Sequence, residues 1–192
     1  MSEADHTPTI RTERLLLMPA TEEQLLAELI DHAALSAALH VDVTAEWPPE
    51  FYDADAVRYT LEHLRANPEQ RDWGFYYITL PECADQRATV IGAGGFKGPP
   101  DATGEVELGY GVVPEFQRRG YATEAVRGMT KFAFRDLRVQ AVVGQTIPSL
   151  IPSIGVLKKA AFRFEGEGSD PHAPEGEVVL RYVLTRDRFT GA

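Results

Sequence analysis

The chain has 192 residues, of which 44% are apolar and 25% are charged, and its formal net charge is −10. These values are typical of one globular domain with a sizeable core, and no apolar run approaches the ~20 residues that span a bilayer. The negative charge argues against unassisted binding to a nucleic-acid backbone and is compatible with attraction of a cationic amine. We therefore expect neither a nucleic acid nor a membrane as a partner.

The N-terminal residues are polar and acidic, unlike a secretory signal. We predict that residues 1–9 form a disordered lead and that residues 10–188 form a single domain. A lone cysteine, Cys83, excludes an internal disulfide and leaves no cysteine-based metal site. From these features we expect a cytoplasmic protein that holds no metal.

The first part of the chain is predicted to hold one strand and two helices. Residues 10–18 are predicted to form a strand, and Thr21 followed by two glutamates is a typical helix start. The apolar face of this first helix is made of Leu25, Leu26, Leu29, Ile30 and Ala33. Residues 41–52 contain Trp-Pro-Pro and are predicted to be irregular, and Asp53 opens a second helix that an Asn-Pro pair closes.

The remainder is predicted to be mainly strands. Strands are expected at residues 73–80, 89–96, 105–113, 139–146, 162–165 and 178–184, and a short helix at 152–160. A longer helix begins near Ala122, because apolar residues recur there at helical spacing, at Ala122, Ala125, Val126, Met129 and Ala133. The resulting order, β-α-α-β-β-β-α-β-α-β-β, predicts an α/β fold.

The turn before this longer helix reads Gln-Arg-Arg-Gly-Tyr-Ala from Gln117 to Ala122. The first amides of a helix lack intrahelical acceptors, and the helix dipole places a partial positive charge beside them. Two neighbouring arginines suit a pyrophosphate better than a single carboxylate. The segment is therefore predicted to be an anion-binding turn.

Gln117-x-x-Gly120-x-Ala122 matches the acyl-CoA signature Gln/Arg-x-x-Gly-x-Gly/Ala of the GNAT superfamily of N-acetyltransferases. The flanking residues, and Thr-Glu-Arg-Leu-x-Leu-x-Pro at residues 12–19, resemble most the ribosomal-protein serine/alanine N-terminal acetyltransferases. The resemblance covers nearly the whole chain. It implies a strongly twisted, mostly antiparallel mixed sheet with helices on both sides and central strands splayed for CoA.

The resemblance also implies that acetyl-CoA is the co-substrate and that its pantetheine arm runs between strands 105–113 and 139–146. A backbone N–H of the first of these strands would polarise the thioester carbonyl. Gly109 and Gly111 either permit a bulge there or pack closely against a neighbour. The residues expected to bind the cofactor are Val112, Val113, Gln117, Arg118, Arg119, Gly120, Tyr121, Ala122 and Thr123.

A general base is needed because an amine must lose a proton before it attacks a thioester. Glu107 lies where many members of the superfamily carry a glutamate, and we predict that it is this base. Glu105 shares the same face of the predicted strand. One of the two carboxylates is therefore expected to be the base and the other a solvated charge.

The general acid is less clearly marked, because Leu157 occupies the position of the usual tyrosine. Ser153, which corresponds to a serine of the ribosomal subgroup, and Tyr110 are the alternatives, and Ser153 is equally suited to a helix cap or the surface. A second departure is Leu150, which replaces an asparagine that bonds the CoA arm. These departures keep open a non-catalytic acyl-CoA-binding or sensing protein of the same fold.

The acceptor site is implied to lie near the first two helices and the loop between them. Trp47 and Phe51 are predicted to be walls of this site, or else aromatic anchors of the loop. The expected reaction is direct attack of a primary amine on acetyl-CoA in a ternary complex, since no suitable nucleophilic cysteine or serine is present. The amine would belong to a protein N-terminus or a small molecule, and a homodimer is a possible assembly.

Overall fold

The structure is a computed structural model that describes residues 9–84, 87–168 and 178–191. The lead predicted at residues 1–9 thus lies almost entirely outside the described residues. Within the described ranges, no helix is both long enough and apolar enough to cross a bilayer.

The single strand predicted at residues 10–18 is wrong, because the chain folds back on itself there. Two short strands, β1 (Ile10–Arg11) and β2 (Leu16–Pro19), pair antiparallel. The Leu15 amide donates to the Thr12 hydroxyl at 3.0 Å, and the Thr12 amide donates to the Leu15 carbonyl at 3.0 Å. These reciprocal bonds close a tight turn that hydrophobic alternation alone does not reveal.

The first predicted helix is divided into α1 (Glu22–Glu28) and α2 (His32–Leu39). Asp31 causes the division, because its side chain accepts from the Ala34 amide at 2.7 Å and caps α2. The predicted continuous apolar face is therefore wrong: Leu25 is buried, whereas Ile30 is 73% exposed. The second predicted helix is confirmed as α3 (Ala54–Ala66), with Asp53 as its N-cap.

The remaining elements follow the predicted order with small shifts at their ends. The strands are β3 (Asp42–Val43), β4 (Phe75–Leu80), β5 (Thr89–Phe96), β6 (Glu105–Val112), β7 (Ala141–Thr146), β8 (Arg163–Gly168) and β9 (Val179–Thr185). The later helices are α4 (Tyr121–Ala133) and α5 (Ile151–Lys159). Strand β3, which lies in the segment predicted to be irregular, was not expected.

In the described residues the strands form one nine-stranded sheet, ordered β1-β2-β4-β5-β6-β7-β9-β8, with β3 paired to β5. All of these pairs are antiparallel except β6 with β7 and β3 with β5. The predicted mixed, mostly antiparallel α/β sheet is confirmed. Parallel pairing of β6 with β7 requires a crossover, which α4 provides.

Helices cover both faces of the sheet. Phe75 on β4 packs with buried Leu25 and Val57 of α1 and α3, which defines the α1 face. Gly94, on the opposite face, lies against the side chain of Met129 of α4, which defines the α4 face. Because side chains alternate along a strand, every residue of β6 can be assigned to one of these two faces.

Strands β6 and β7 pair only from Glu105 with Ala141 to Leu108 with Gly144. Beyond this point β6 continues to Val112 and β7 to Thr146 without further pairing to each other. We call this divergence the fork, and it confirms the predicted splay of the central strands. The opposite edge of β6 pairs with β5 in an unbroken register, so the bulge considered at the two β6 glycines is absent from that pairing.

Candidate active site

The fork leads directly into the turn that carries the sequence motif. After β6, a short 3₁₀ segment (Pro114–Phe116) ends at Gln117, whose side-chain amide donates to the Val112 carbonyl at 2.9 Å. Val112 lies beyond the last residue of β6 that pairs with β7. The glutamine of the motif thus satisfies a strand carbonyl that β7 no longer reaches.

The backbone of this turn has the conformation that an anion site needs. Arg118 (φ 59°) and Gly120 (φ 85°) both have left-handed backbone conformations, and Gly120 is the N-cap of α4. Glycine adopts this conformation without the steric cost that a Cβ would add. Throughout the described part of the chain, no protein group accepts a hydrogen bond from the amides of residues 118–123. We call residues 117–123 the anion turn.

Glu124 attaches the anion turn to the β1–β2 hairpin, a link that sequence analysis missed. Its carboxylate accepts from the Thr12 hydroxyl at 2.6 Å, from the Arg14 amide at 2.7 Å and from Arg14 Nε at 2.7 Å. Arg14 also donates to the Arg119 carbonyl at 3.1 Å and lies over the Tyr121 ring. Burial opposes ionisation of Glu124, but these hydrogen bonds hold the pKa of its carboxyl below the usual value.

A cleft of about 580 Å³ opens between the β1–β2 hairpin and the outer side of α4. It begins at the anion turn, since Gly120 and Thr123 line one end. Cations outnumber carboxylates in its lining, which includes Arg11, Arg14, Arg127, Lys131 and Lys159 together with Glu13 and Glu124. On a chain with a net charge of −10, this is a local concentration of positive charge beside the anion turn.

The two candidate acids, Tyr110 and Ser153, are brought together across the fork. The Tyr110 hydroxyl lies 3.0 Å from Ser153 Oγ and 3.1 Å from the Ser153 carbonyl, which joins β6 to α5. Burial raises the pKa of Tyr110 to about 12, so the hydroxyl is protonated at neutral pH. The pair can therefore present a protonated hydroxyl on the α4 face.

The two sequence departures lie on the same side of the fork. Leu157 is fully buried against Gly144 of β7 and is a core residue. Leu150 is the N-cap of α5 but makes no side-chain capping bond. Near them, the buried Thr146 hydroxyl has no hydrogen-bond partner among the described residues. An orphaned buried hydroxyl at the end of β7 fits a polar ligand group in the fork.

Glu107 lies on the α1 face, next to the start of the fork. Its carboxylate forms an ion pair with Lys97 Nζ at 2.6 Å and accepts from Gln145 Nε2 at 3.0 Å. The side chain is 23% exposed. A carboxylate in this position is accessible from the α1 face and is oriented by two neighbours.

Glu105, the other carboxylate on this face, is held by a separate ion pair. Arg181 Nη2 lies 2.6 Å from Glu105 Oε1, while Arg181 Nε lies 2.6 Å from Glu165 Oε2. Glu105 is therefore a partly exposed charge, with 35% of its side chain accessible, that is held in an ion pair. It is fixed between strands, one pleat farther from the fork than Glu107.

Trp47 is buried, and its indole belongs to a polar cluster around Glu28 that the sequence did not predict. Its indole N–H donates to Glu28 Oε1 at 2.7 Å, and the Tyr77 hydroxyl donates to Glu28 Oε2 at 2.7 Å. Tyr52 also reaches this carboxylate, at 3.3 Å. Burial raises the pKa of Glu28 although all three donors oppose the rise. Trp47, which is 5% exposed, anchors the loop of residues 44–52.

The same loop lies over β6 on the α1 face. Pro49 approaches Gly111 so closely that a Cβ there would lie 3.1 Å from the proline ring, which explains this glycine by close packing. Glu46 accepts from the Glu115 amide at 2.6 Å and ties the loop to the end of β6. Phe51 is 74% exposed with a φ of 64°. The loop thus covers Gly111 near the end of β6, with Trp47 inside the loop and Phe51 on its surface.

Comparison with known proteins agrees with this geometry. The family model of the acetyltransferase (GNAT) domain matches residues 14–163. FsC-acetyl coenzyme A-N(2)-transacetylase of Aspergillus fumigatus is 31% identical over 93 residues, which are 45% of this chain and 39% of that protein. The uncharacterized N-acetyltransferase YjdG of Bacillus subtilis is 26% identical over 133 residues, 69% of this chain and 75% of that protein. The chain spans well under two thirds of the Aspergillus protein.

Solved structures share the fold over nearly the full chain. A putative ribosomal-protein-serine acetyltransferase from Vibrio cholerae has a TM-score of 0.65 at 20% identity, covering 93% of this chain and 97% of that one. Mycobacterium smegmatis RimJ, in complex with CoA-disulfide, has a TM-score of 0.68 at 18% identity, covering 96% and 90%. At these identities the likeness concerns the fold alone. With the family match across residues 14–163, the chain belongs to the GNAT acetyltransferase family.

Proposed function

We propose that the protein transfers an acetyl group from acetyl-CoA to a primary amine. The observation that carries this proposal is the continuity of three features along one stretch of chain. Glu107 lies before the fork, and the fork separates β6 from β7. The anion turn, whose amides have no acceptor among the described residues, follows β6. A base for the amine, a channel for the pantetheine arm and a turn for the pyrophosphate thus follow one another along the chain. This is the order in which the parts of an acyl-CoA molecule would occupy them.

The residues present fit the phosphate groups and the pantetheine arm of acetyl-CoA. The amides of residues 118–123 would hold the pyrophosphate, with Gly120 keeping the approach open. Backbone groups of β6 beyond Leu108, where pairing with β7 ends, and the Thr146 hydroxyl would bond the pantetheine arm within the fork. The cations of the adjoining cleft, among them Arg127 and Lys131, would attract the remaining phosphate charge. When bound, acetyl-CoA supplies the thioester as the electrophile.

The two proton transfers of the reaction would take place on opposite faces of the sheet. Glu107 would accept a proton from the amine on the α1 face. A backbone N–H of β6 beyond Leu108 would donate to the oxyanion. The Tyr110–Ser153 pair would protonate the departing thiolate from the α4 face. Leu157 takes no part in this scheme, since it belongs to the core.

The acceptor is proposed to be a protein N-terminus or a small-molecule amine. Support comes from the exposure of Phe51, which is 74% exposed, and the partial exposure of Glu107, which is 23% exposed, on the same side of the sheet. The negative charge of the chain favours an acceptor with additional positive charge. The Vibrio cholerae protein shares the fold, and its name, a putative ribosomal-protein-serine acetyltransferase, indicates a protein acceptor for that protein.

Calorimetric titration with acetyl-CoA, followed by a thiol-release assay over small amines and basic peptides, tests the proposal. We expect binding, and release that falls about 10²-fold or more in Glu107→Gln. Glu105→Gln is the matched control, because it removes a carboxylate from the same face and should leave release nearly unchanged. Binding with no release from any amine would instead support an acyl-CoA-binding protein without catalysis. Failure to bind acetyl-CoA would overturn the proposal.

A further inference from the structure

Lys97 is tied to the proposed base through both its backbone and its side chain. It directly follows β5, and its amide donates to the Glu107 carbonyl at 2.9 Å. Its Nζ lies 2.6 Å from Glu107 Oε1. The pairing of Phe96 with Leu108 fixes this arrangement, because it places the residues after β5 beside Glu107. The chain thus carries a primary amine of its own against the carboxylate that is proposed to deprotonate the acceptor.

The Lys97 amine is of the chemical class expected of an acceptor, and it is accessible. A lysine Nζ is a primary alkylamine that must lose a proton before it becomes a nucleophile, and Glu107 is within direct proton-transfer distance. The Lys97 side chain is 48% exposed, so its amine is accessible from solvent. The fork begins one residue beyond Glu107, about 3.3 Å along the strand.

We propose that Lys97 Nζ is acetylated by the protein itself, with acetyl-CoA as donor and Glu107 as base. This inference rests on the proposed function, since it uses the same donor and the same carboxylate. Glu107 takes one proton from the Lys97 ammonium, and the neutral nitrogen attacks the thioester carbonyl. The new N–C bond forms as the C–S bond breaks, the nitrogen loses its second proton, and the thiolate gains one. The products are an N-acetyl-lysine, free CoA and one released proton.

The other lysines of the sequence lack this setting. Lys131 lies in α4, and Lys158 and Lys159 lie at the end of α5. These helices pack on the α4 face, opposite Glu107. Acetylation that needs Glu107 as base should therefore be confined to Lys97. Uncatalysed acetylation would instead depend on the solvent exposure of each amine and would reach all four lysines.

Modification of Lys97 would also change the site. An acetylated Nζ is neutral and cannot form the ion pair with Glu107. Glu107 would then keep its hydrogen bond from Gln145 while losing its cationic neighbour. The carboxylate would become free to receive the ammonium group of an external acceptor. Self-acetylation thus removes an internal competitor for the base.

Incubation of the full-length protein with isotope-labelled acetyl-CoA, followed by peptide mass spectrometry, tests this inference. We expect one acetyl group on Lys97, formed at a fractional rate that does not depend on protein concentration. Lys97→Arg keeps a positive charge beside Glu107 and should abolish incorporation, while Lys158→Arg is the matched control and should leave it intact. Glu107→Gln should slow it about 10²-fold, with circular dichroism and urea unfolding verifying the fold of each variant.

Three results would overturn the inference. They are labelling spread evenly over the four lysines, labelling of Lys97 at an unchanged rate in Glu107→Gln, and a fractional rate that rises with protein concentration. Calorimetry and thiol release with external amines separate this outcome from failure of the proposed function. A protein that binds acetyl-CoA and acetylates an external amine, yet leaves Lys97 unmodified, contradicts only the inference about Lys97. A protein that does not bind acetyl-CoA contradicts both.

Discussion

Glu107 and Tyr110 lie three residues apart on β6, and strand alternation directs their side chains to opposite faces of the sheet. Glu107 meets Lys97 and Gln145 on the α1 face, and Tyr110 meets Ser153 on the α4 face. In the proposed reaction, the proton is therefore removed from the amine on one side of the fork and donated to the thiolate on the other. This separation prevents the base and the acid from neutralising each other directly.

Gly120→Ala should weaken acetyl-CoA binding. The alanine would have to adopt a φ of 85°, and its Cβ would lie 3.3 Å from Arg14 Nη2, so the anion turn would shift. A left-handed conformation costs a non-glycine residue about 1–2 kcal/mol, and we expect roughly tenfold weaker binding by calorimetry. Gly155→Ala is the control, because a Cβ in that part of α5 meets open space. Equal binding by the two variants would contradict the assigned role of Gly120.

Tyr110→Phe and Ser153→Ala should each lower kcat for thiol release while acetyl-CoA affinity stays within a few-fold of wild type. Because the two hydroxyls are 3.0 Å apart, we expect them to act as a unit with a coupling energy of about 0.5–3 kcal/mol. A double-mutant cycle at saturating acetyl-CoA measures this coupling. Strictly additive effects would show that the hydroxyls act independently.

Lys131→Ala should weaken acetyl-CoA binding by a few-fold at low ionic strength. Lys131 lines the basic cleft next to the anion turn, and exposed charges attract a polyanion over roughly a Debye length. The effect should shrink as salt is added. Arg58→Ala removes a cation on α3, where Arg58 pairs with Asp55, and serves as the control. A salt-independent loss in Lys131→Ala would contradict an electrostatic role for the cleft.

Glu28→Gln should loosen the loop of residues 44–52. The carboxylate accepts from Trp47, Tyr77 and Tyr52. The NH₂ group of a glutamine would face at least one of these three donors and could not accept its hydrogen bond. An unsatisfied buried polar group costs about 1–3 kcal/mol. Urea unfolding followed by tryptophan fluorescence measures this loss. The Michaelis constant for the amine should rise while acetyl-CoA affinity is retained, and the opposite pattern would place the loop at the CoA site.

Glu124→Gln should destabilise the protein at neutral pH by about 1.5–3 kcal/mol, the usual range for hydrogen bonds to a charged group. The pKa of Glu124 lies below its ordinary value of 4.5, so its stabilising contribution is present above that pH and is lost as pH falls through the folded-state pKa. The difference in unfolding free energy between wild type and variant should therefore shrink as the pH falls below 4.5. A difference that grows toward low pH would contradict this sign.

Local sequence determined the elements whose signals lie within a few residues. Asp53 predicted the start of α3, and the Gln117–Ala122 motif with the helical spacing after it predicted the anion turn and α4. Both depend on backbone conformation and on periodicity within one element. The single strand at residues 10–18 and the undivided first helix were predicted wrongly from the same kind of local periodicity. The turn at Thr12–Leu15 and the Asp31 cap depend on single hydrogen bonds, which periodicity does not reveal.

Only the tertiary structure decided which side chains meet at the site. The sequence identified Glu107 as a candidate but not Lys97 beside it, because the contact depends on the register of β5 with β6. The bonds between Arg14 and Glu124 and between Glu28 and Tyr77 join residues that are distant in sequence. Such contacts form when the sheet brings separate strands and helices together, and no short-range pattern encodes them. The sequence alone thus determined the chemistry available to this protein, and packing determined which groups can act on one another.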